Sequence, residues 1–344
     1  MKDVCFVAIG VESDYMSVTK ECGCKSMENY YWFMRPEFRL KGLTRFLFKL
    51  HNSEKINRII SLPFKSIWAK TIITKDAVRE IKERYKRVIF LFNATGYRYK
   101  KMGVFNYLKK TFPSCKLVYR FADKVDLYLK DSFYYDFRLK DLEDNFDCIS
   151  TFNKQDSLKY GFLYTKPCLN DLSSLASEEI KYDVFFVGKN KGRLDRIHSF
   201  YKKCMDKGLV CDFYITDVPI DKQLYANKIH YNQHIPYEVV VKKASSSKAI
   251  LNIVQEGVSG FTRRDYEAIG LNKILITNND SILTSPFYTS DKVIMIGNFE
   301  NECFKIDRFD QNQKWNGVEG FSVDLWFDQY EKDINDYCLK KNSI

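Results

Sequence analysis

The stretch Ser259-Gly260-Phe261-Thr262-Arg263-Arg264-Asp265-Tyr266-Glu267-Ala268-Ile269-Gly270 gathers side chains suited to one kind of chemistry. With the following Leu271-Asn272-Lys273-Ile274-Leu275-Ile276-Thr277-Asn278-Asn279, it reads as loop, helix, loop and strand. Gly260 carries no side chain and can let a ligand approach the backbone closely. Thr262, Arg264 and Glu267 project from the first two turns of the helix. A helix N-terminus has unpaired N–H groups and a partial positive charge, so it suits a phosphate. Arg264 adds a bidentate phosphate donor, and Glu267 can accept hydrogen bonds from a ribose. These residue types point to a nucleotide diphosphate.

Two further groups could share that chemistry. Gly188-Lys189-Asn190-Lys191-Gly192-Arg193 is a glycine-flanked loop with three cations after a strand. Gly188, Lys189 and Arg193 make it a candidate phosphate cradle at a helix N-terminus, against the alternative of a solvated basic turn. It is neither a P-loop nor a dinucleotide fingerprint. Asp123 closes the strand-like Lys116–Phe121 region. Ligands of open α/β sheets bind outside the carboxyl ends of strands, so Asp123 could deprotonate an acceptor hydroxyl. A helix-capping aspartate is the competing reading.

The elements that must position these groups alternate between strand and helix. In the first half, residues 1–9, 87–93, 116–121 and 148–152 read as buried strands. Residues 45–60, 77–85 and 99–111 read as helices, the last ended by Pro113. Around residues 166–181 the pattern lapses into a polar connector. It then restarts, with strands at 182–188, 211–215, 249–254, 273–277 and 293–296, and helices at 194–208 and 237–244. A terminal helix covers 321–339. This predicts doubly wound α/β structure with domains at 1–170 and 171–320, and a tail at 321–344 that could pack back on the first domain.

Length and composition fit that division. The chain has 344 residues, enough for two cores, and 16% aromatics. Its first apolar run is too short for a signal peptide or a membrane span. The ten cysteines are scattered and read as reduced core residues of a cytosolic protein; Cys22-Gly23-Cys24 lacks a second pair and is a weak zinc signal. Net charge is +11. From Arg35 to Lys70, nine Lys or Arg interleave with Phe38, Leu43, Phe46, Leu47, Ile59, Ile60, Phe64 and Trp68. Such a stretch suits an anionic membrane surface, against the alternative of a solvated basic helix face. No nucleic-acid module is visible, so nucleic acid is not an expected partner.

The stretch from Gly260 to Asn278 resembles the donor-binding segment of bacterial GT-B-fold glycosyltransferases, in particular those of lipopolysaccharide, O-antigen and capsular polysaccharide biosynthesis. Their pattern is roughly Gly-x-Thr-x-Arg-x-x-Glu-Ala-(Leu/Ile)-Gly, then a strand ending in Thr-Asn. Gly260, Thr262, Arg264, Glu267, Ala268, Ile269, Gly270, Thr277 and Asn278 match it. Ser259 stands where many such enzymes carry a second glutamate. The resemblance implies an α/β protein of two Rossmann-like domains facing across a cleft. It implies that a sugar moves from a nucleotide-diphosphate donor, such as a UDP-sugar, to a hydroxyl of a glycan or lipid-linked glycan acceptor. The donor would sit on the second domain, with Ile235 and Pro236 flanking the base and His234 or His230 available as a base. The acceptor would sit near Asp123, with Asn93, Thr95 and Arg98 on its side. No Asp-x-Asp triplet occurs, so no metal cofactor is expected, and helix dipole and cations would stabilise the departing diphosphate. The protein would work in the cytoplasm, at the inner face of the membrane. Alternatives are another GT-B activity, such as a sugar-nucleotide epimerase or a polyol-phosphate transferase, and a non-catalytic basic adaptor for membranes or polyanions.

Overall fold

The computed structural model describes residues 3–10, 28–33, 36–60, 62–93, 98–130, 138–165, 172, 179–318 and 323–342. Arg35, Thr95, Cys22, Cys24 and most of the 166–181 connector lie outside them. Two six-stranded parallel sheets organise the chain. The first contains β1 (Val4–Ile9), β2 (Tyr30–Phe33), β3 (Arg87–Phe92), β4 (Lys116–Phe121), β5 (Cys148–Thr151) and β6 (Leu163–Tyr164), ordered β2-β1-β3-β4-β5-β6. The second contains β7 (Tyr182–Lys189), β8 (Cys211–Thr216), β9 (His230–Tyr231), β10 (Ser247–Asn252), β11 (Ile274–Thr277) and β12 (Val293–Met295). Its order, β12-β11-β10-β7-β8-β9, reverses direction between β7 and β10. These two strands pair in parallel with Ala249 beside Val184 and Ile250 beside Phe185. A crevice opens at the carboxyl ends of strands where a doubly wound sheet reverses, and this is where such folds bind ligands.

Both sheets are buried on both faces, which is why their strands read as continuous apolar runs. Alternate residues serve alternate cores. In β1, Cys5, Val7 and Ile9 join one cluster, while Val4, Phe6 and Ala8 join another. In β7, Phe185 faces one side and Val184 and Phe186 the other. The helices that matter here are α1 (Gly42–Asn52), α2 (Glu54–Ile59), α3 (Lys75–Arg84), α4 (Val104–Thr111), α5 (Val125–Lys130), α6 (Leu139–Asn145), α7 (Lys154–Tyr160), α8 (Leu194–Asp206), α9 (Tyr237–Ser245), α10 (Arg263–Gly270) and α11 (Val323–Asn342).

Two sequence expectations are corrected. The single helix read over 45–60 is two, α1 and α2. Ser53 stands between them in an extended conformation (ψ 116°) and accepts a hydrogen bond from the Ile56 N–H as the cap of α2. The helix read over 99–111 is a 3₁₀ turn, Arg98–Met102, followed by α4. Gly103 (φ 66°) takes the left-handed conformation between them.

The second face of the first sheet is covered from the far end of the chain. Val323, Phe327, Tyr330 and Ile334 repeat at helical spacing along α11 and pack on Val4, Phe6, Ala8, Ile89, Leu91, Val118 and Cys148. The Phe327 ring lies 4.6 Å from that of Phe6, and the Tyr330 hydroxyl lies 2.8 Å from Ser150 Oγ. Phe327→Ala therefore removes a buried ring that both ends of the chain share. It should lower the stability of the first domain by about 3 kcal/mol, read as a shift of its urea unfolding transition.

Candidate active-site crevice

The Gly188–Arg193 loop leaves the end of β7, and the loop from Ile253 to Thr262 leaves the end of β10. The basic loop after β7 and the loop that leads into α10 with its Arg263 and Arg264 thus flank the crevice where the second sheet reverses. They are tied together by guanidinium groups. Arg193 donates through Nη1 to the carbonyl of Ile253 in one loop, and through Nη2 (3.2 Å) and Nε (3.3 Å) to that of Lys189 in the other. Its side chain folds back over Gly188, where a Cβ would lie 2.8 Å from Arg193 Nη2. A side chain at Gly188 would push the folded-back guanidinium out of this position. Lys189 pairs with Asp217 at 3.1 Å.

Arg264 reaches from the first turn of α10 to the carbonyl of Val187 at 3.2 Å, next to Gly188. It also donates to Oε2 of Glu267, one turn on. Burial lowers the Arg264 pKa to about 10. The positive charges of Arg263 and Arg193 push the same way, and Tyr237 acts in the opposite sense. Burial lowers Arg193 too, partly offset by the Asp123 carboxylate. Glu267 is only 2% exposed, and its Oε1 is buried with no hydrogen-bond partner. The crevice therefore holds crowded cations and an acceptor oxygen left unsatisfied in a place where that is costly.

Half of the stretch that carries these groups faces inward. Asp265 is fully buried and accepts from the Thr262 N–H (2.6 Å) and hydroxyl (3.1 Å), from Asn252 Nδ2 (2.7 Å) and from Asn279 Nδ2 (3.2 Å). Burial raises its pKa against the pull of these bonds. The Thr262 hydroxyl also accepts from Asn252 Nδ2 at 3.0 Å. Thr262 is therefore engaged in the cap of α10, with its hydroxyl turned to this network. Asn278 Oδ1 accepts from the Val254 N–H at 2.7 Å, and Thr277 Oγ1 donates to Asn252 O at 2.9 Å.

Gly260 is also explained by something other than a ligand. At φ 94°, a Cβ there would meet Phe152 O at 2.9 Å and Tyr164 Oη at 3.1 Å. Both belong to the first domain, so the close approach that Gly260 permits is between domains. Ser259 sits in the same contact. Its Oγ donates to Asn153 Oδ1 at 2.8 Å and accepts from the Gln155 N–H at 3.1 Å, while its carbonyl accepts from the Lys154 N–H at 3.3 Å. Ser259 is plugged into the N-terminus of α7, whose cap is the buried Asn153. Asn153 Nδ2 lies 3.4 Å from Gly257 O, and Lys124 donates to Glu256 O at 2.8 Å.

Asp123 stands at the end of β4 and is not the cap of α5; the Val125 N–H is taken by Asp156 at 2.9 Å. Its carboxylate pairs with Lys191 of the second domain at 2.7 Å. Asn93 leaves the neighbouring strand β3 on the same edge. The histidines are not drawn in. His230 lies on the edge strand β9, stacked on Tyr214 at 4.4 Å with Nε2 3.5 Å from Asp212, which also holds Lys243 at 2.9 Å. His234 is exposed, and among the described residues no hydrogen bond or ion pair engages it. Ile235 packs against the core beneath α9, and Pro236 caps that helix just before Tyr237, under Arg263.

Sequence reasoning missed Lys191, Asn153 and Asp265 as organising residues. Asn153-Lys154-Gln155-Asp156 does carry a helix-start signal. Nothing in a single sequence says that its partner is Ser259, 106 residues away.

No family model matches the chain, and no curated protein matches it in sequence. Among solved structures it is similar to Alr3699/HepE of Anabaena, determined with UDP (TM-score 0.53, 8% identity, 97% of this chain and 100% of that one). It is also similar to AviGT4, a glycosyltransferase of avilamycin A biosynthesis (TM-score 0.51, 10% identity, 98% of both chains). A UDP-N-acetylglucosamine 2-epimerase from Rickettsia bellii aligns with a TM-score of 0.48, 9% identity and 98% of both chains. At these identities the likeness is one of fold, and the fold is GT-B: two Rossmann-like domains facing across a cleft.

Gly260→Ala places a methyl group against Phe152 O from a left-handed backbone. It should cost at least about 1 kcal/mol, seen as a lower melting temperature and faster proteolysis of the 253–262 loop. Gly192→Ala, also left-handed (φ 75°) but in open space, should show only the milder backbone penalty.

Proposed function

We propose that the protein is a glycosyltransferase that takes its donor as a nucleotide diphosphate sugar in the crevice between β7 and β10. The observation that carries this reading is the Arg264–Glu267 pair. Its guanidinium is crowded by like charge, and its carboxylate keeps one oxygen, Oε1, buried and unpartnered. A diphosphate would relieve the first and a ribose hydroxyl would satisfy the second. Gly188, Lys189 and Arg193 would line the phosphate side with the N-terminus of α10, and Ile235 and Pro236 would flank the base. Thr262 would act through the cap of α10, and Gly260 and Ser259 through the domain contact.

In the transfer step the bond from the sugar's anomeric carbon to the β-phosphate oxygen breaks, and its electron pair leaves with the diphosphate. A bond forms from that carbon to the acceptor hydroxyl oxygen, whose proton passes to the Asp123 carboxylate. Arg193 and Arg264 would meet the charge that develops on the leaving group, and the reading needs no divalent metal. The acceptor in this reading is a hydroxyl of a bacterial surface glycan, carried on lipid.

Support for a lipid-linked acceptor comes from the outer face of the first domain. No helix among the described residues is long and apolar enough to cross a membrane. Yet α1 and its neighbours expose Leu43 (72%), Phe46 (61%), Ile59 (84%) and Phe64 (77%), beside the exposed cations Lys41, Arg45, Lys49 and Lys55. Apolar groups that would enter the interface, ringed by cations that would meet anionic headgroups, suit peripheral seating at an inner membrane face.

Calorimetry with UDP, GDP, ADP and TDP tests the donor site: one should bind, and Glu267→Gln should weaken it by about ten-fold or more, the scale of a charged hydrogen bond. Unchanged melting temperature would show that Glu267→Gln still folds, and unchanged affinity would remove Glu267 from the site. Nucleoside diphosphate release that requires a glycan acceptor would separate transfer from epimerisation. For the membrane, the protein should sediment with phosphatidylglycerol vesicles and not with phosphatidylcholine. Leu43→Ser with Phe46→Ser should reduce that binding at least several-fold; equal binding to both lipids would count against an anionic surface.

A further inference from the structure

Of the cations in the Gly188–Arg193 loop, Lys191 is the one that leaves its own domain. Its backbone is left-handed (φ 45°), an uncommon state for a residue with a side chain, and Gly192 continues it at φ 75°. The turn is held at its base, where the Asn190 N–H donates to Thr216 O at 2.8 Å and the Arg193 N–H to Asn190 O at 3.0 Å. Gln255 Nε2 donates to Lys191 O at 3.4 Å. From this fixed turn the Lys191 ammonium crosses to Asp123 at 2.7 Å.

The other hydrogen bonds between the domains among the described residues differ in kind. Ser259, Asn153 and Gly257 join through neutral groups, and Lys124 meets only a carbonyl. A neutral clasp has no reason to respond to an anion arriving in the crevice. The Lys191–Asp123 pair does. A carboxylate with one negative charge competes with a diphosphate of higher charge for the same ammonium, and both partners are about one-third exposed, so breaking the pair costs little.

We infer that Lys191 is a diphosphate ligand whose resting partner is the Asp123 carboxylate, so that donor binding and release of Asp123 are one exchange. This rests on the reading of the crevice as a nucleotide-sugar site. With the crevice empty, the Asp123 carboxylate is occupied by the Lys191 ammonium. With a diphosphate bound, Lys191 moves from the carboxylate to the phosphate, and Asp123 is left to the acceptor hydroxyl. The Ser259–Asn153 clasp keeps the two loops beside the first domain throughout, so the exchange needs only side-chain movement. Donor and acceptor sites are thereby coupled through one lysine, and the coupling is reciprocal.

A double-mutant cycle on the full chain tests this, with UDP and inorganic pyrophosphate as separate calorimetric probes at low ionic strength. Lys191→Met should weaken both probes by about ten-fold. Asp123→Asn should tighten both by about two- to five-fold, since it removes the competitor in a partly exposed pair. In the Lys191→Met background, Asp123→Asn should have no effect. The exchange is overturned if Asp123→Asn tightens binding equally with and without Lys191, because that would be the general field of a lost negative charge. It is overturned equally if Asp123→Asn leaves affinity unchanged. Pyrophosphate coupling without any nucleotide binding would keep the exchange and sink the sugar-nucleotide reading; failure of both probes would sink both.

Discussion

A carboxylate without access to water holds the second domain's crevice in shape. Among the described residues Asp265 meets no cation; four donors from Thr262, Asn252 and Asn279 surround it instead, and it lies at the positive end of α10. Those donors come from the end of β10, the start of α10 and the turn after β11, so one buried charge fixes three elements. It steadies the Ile253–Thr262 loop from the inside, alongside the outward contacts that Arg193, Asn278 and Asn153 make with the same loop. Burial and hydrogen bonding pull its ionisation in opposite directions. The network survives because every oxygen of the carboxylate is answered.

The fold was legible because parallel strands buried on both faces announce themselves as short apolar runs. Residues 87–92, 116–121, 182–189 and 247–252 all do so. β2, β6 and β9 were not read: Tyr30–Phe33 consists of half-buried aromatics, and the other two are two-residue edge strands. Helix breaks at Ser53 and Gly103 were invisible for a similar reason. A capping serine or a left-handed glycine inside an amphipathic run looks like any other tolerated residue until the backbone is seen.

The candidate site was legible in residue type and only partly in how its side chains are engaged. Arg264, Glu267, Gly188 and Arg193 do come together at one crevice. Gly260, Thr262 and Asn278, read from the same pattern, meet the protein's own backbone and side chains. A polar side chain that serves a ligand and one that serves an internal network have the same letter in the sequence; only the partner distinguishes them. Ser259 illustrates this well. A serine where related patterns carry glutamate looks like a lost contact, yet a short hydroxyl is what fits between Asn153 and the Gln155 N–H. A glutamate would bring a longer, charged group into that space.

The placement of α11 has a mechanical result. Phe162 belongs to the first core and Leu172 to the second, while Val318 packs with the second and Val323 with the first. The polypeptide thus passes from one lobe to the other and back within two brief spans of sequence. Two covalent crossings restrict the relative movement of the lobes more than a single one would. Because the chain returns to the first lobe at its end, that lobe cannot be excised as one unbroken piece, whereas the second, from Leu172 to Val318, can.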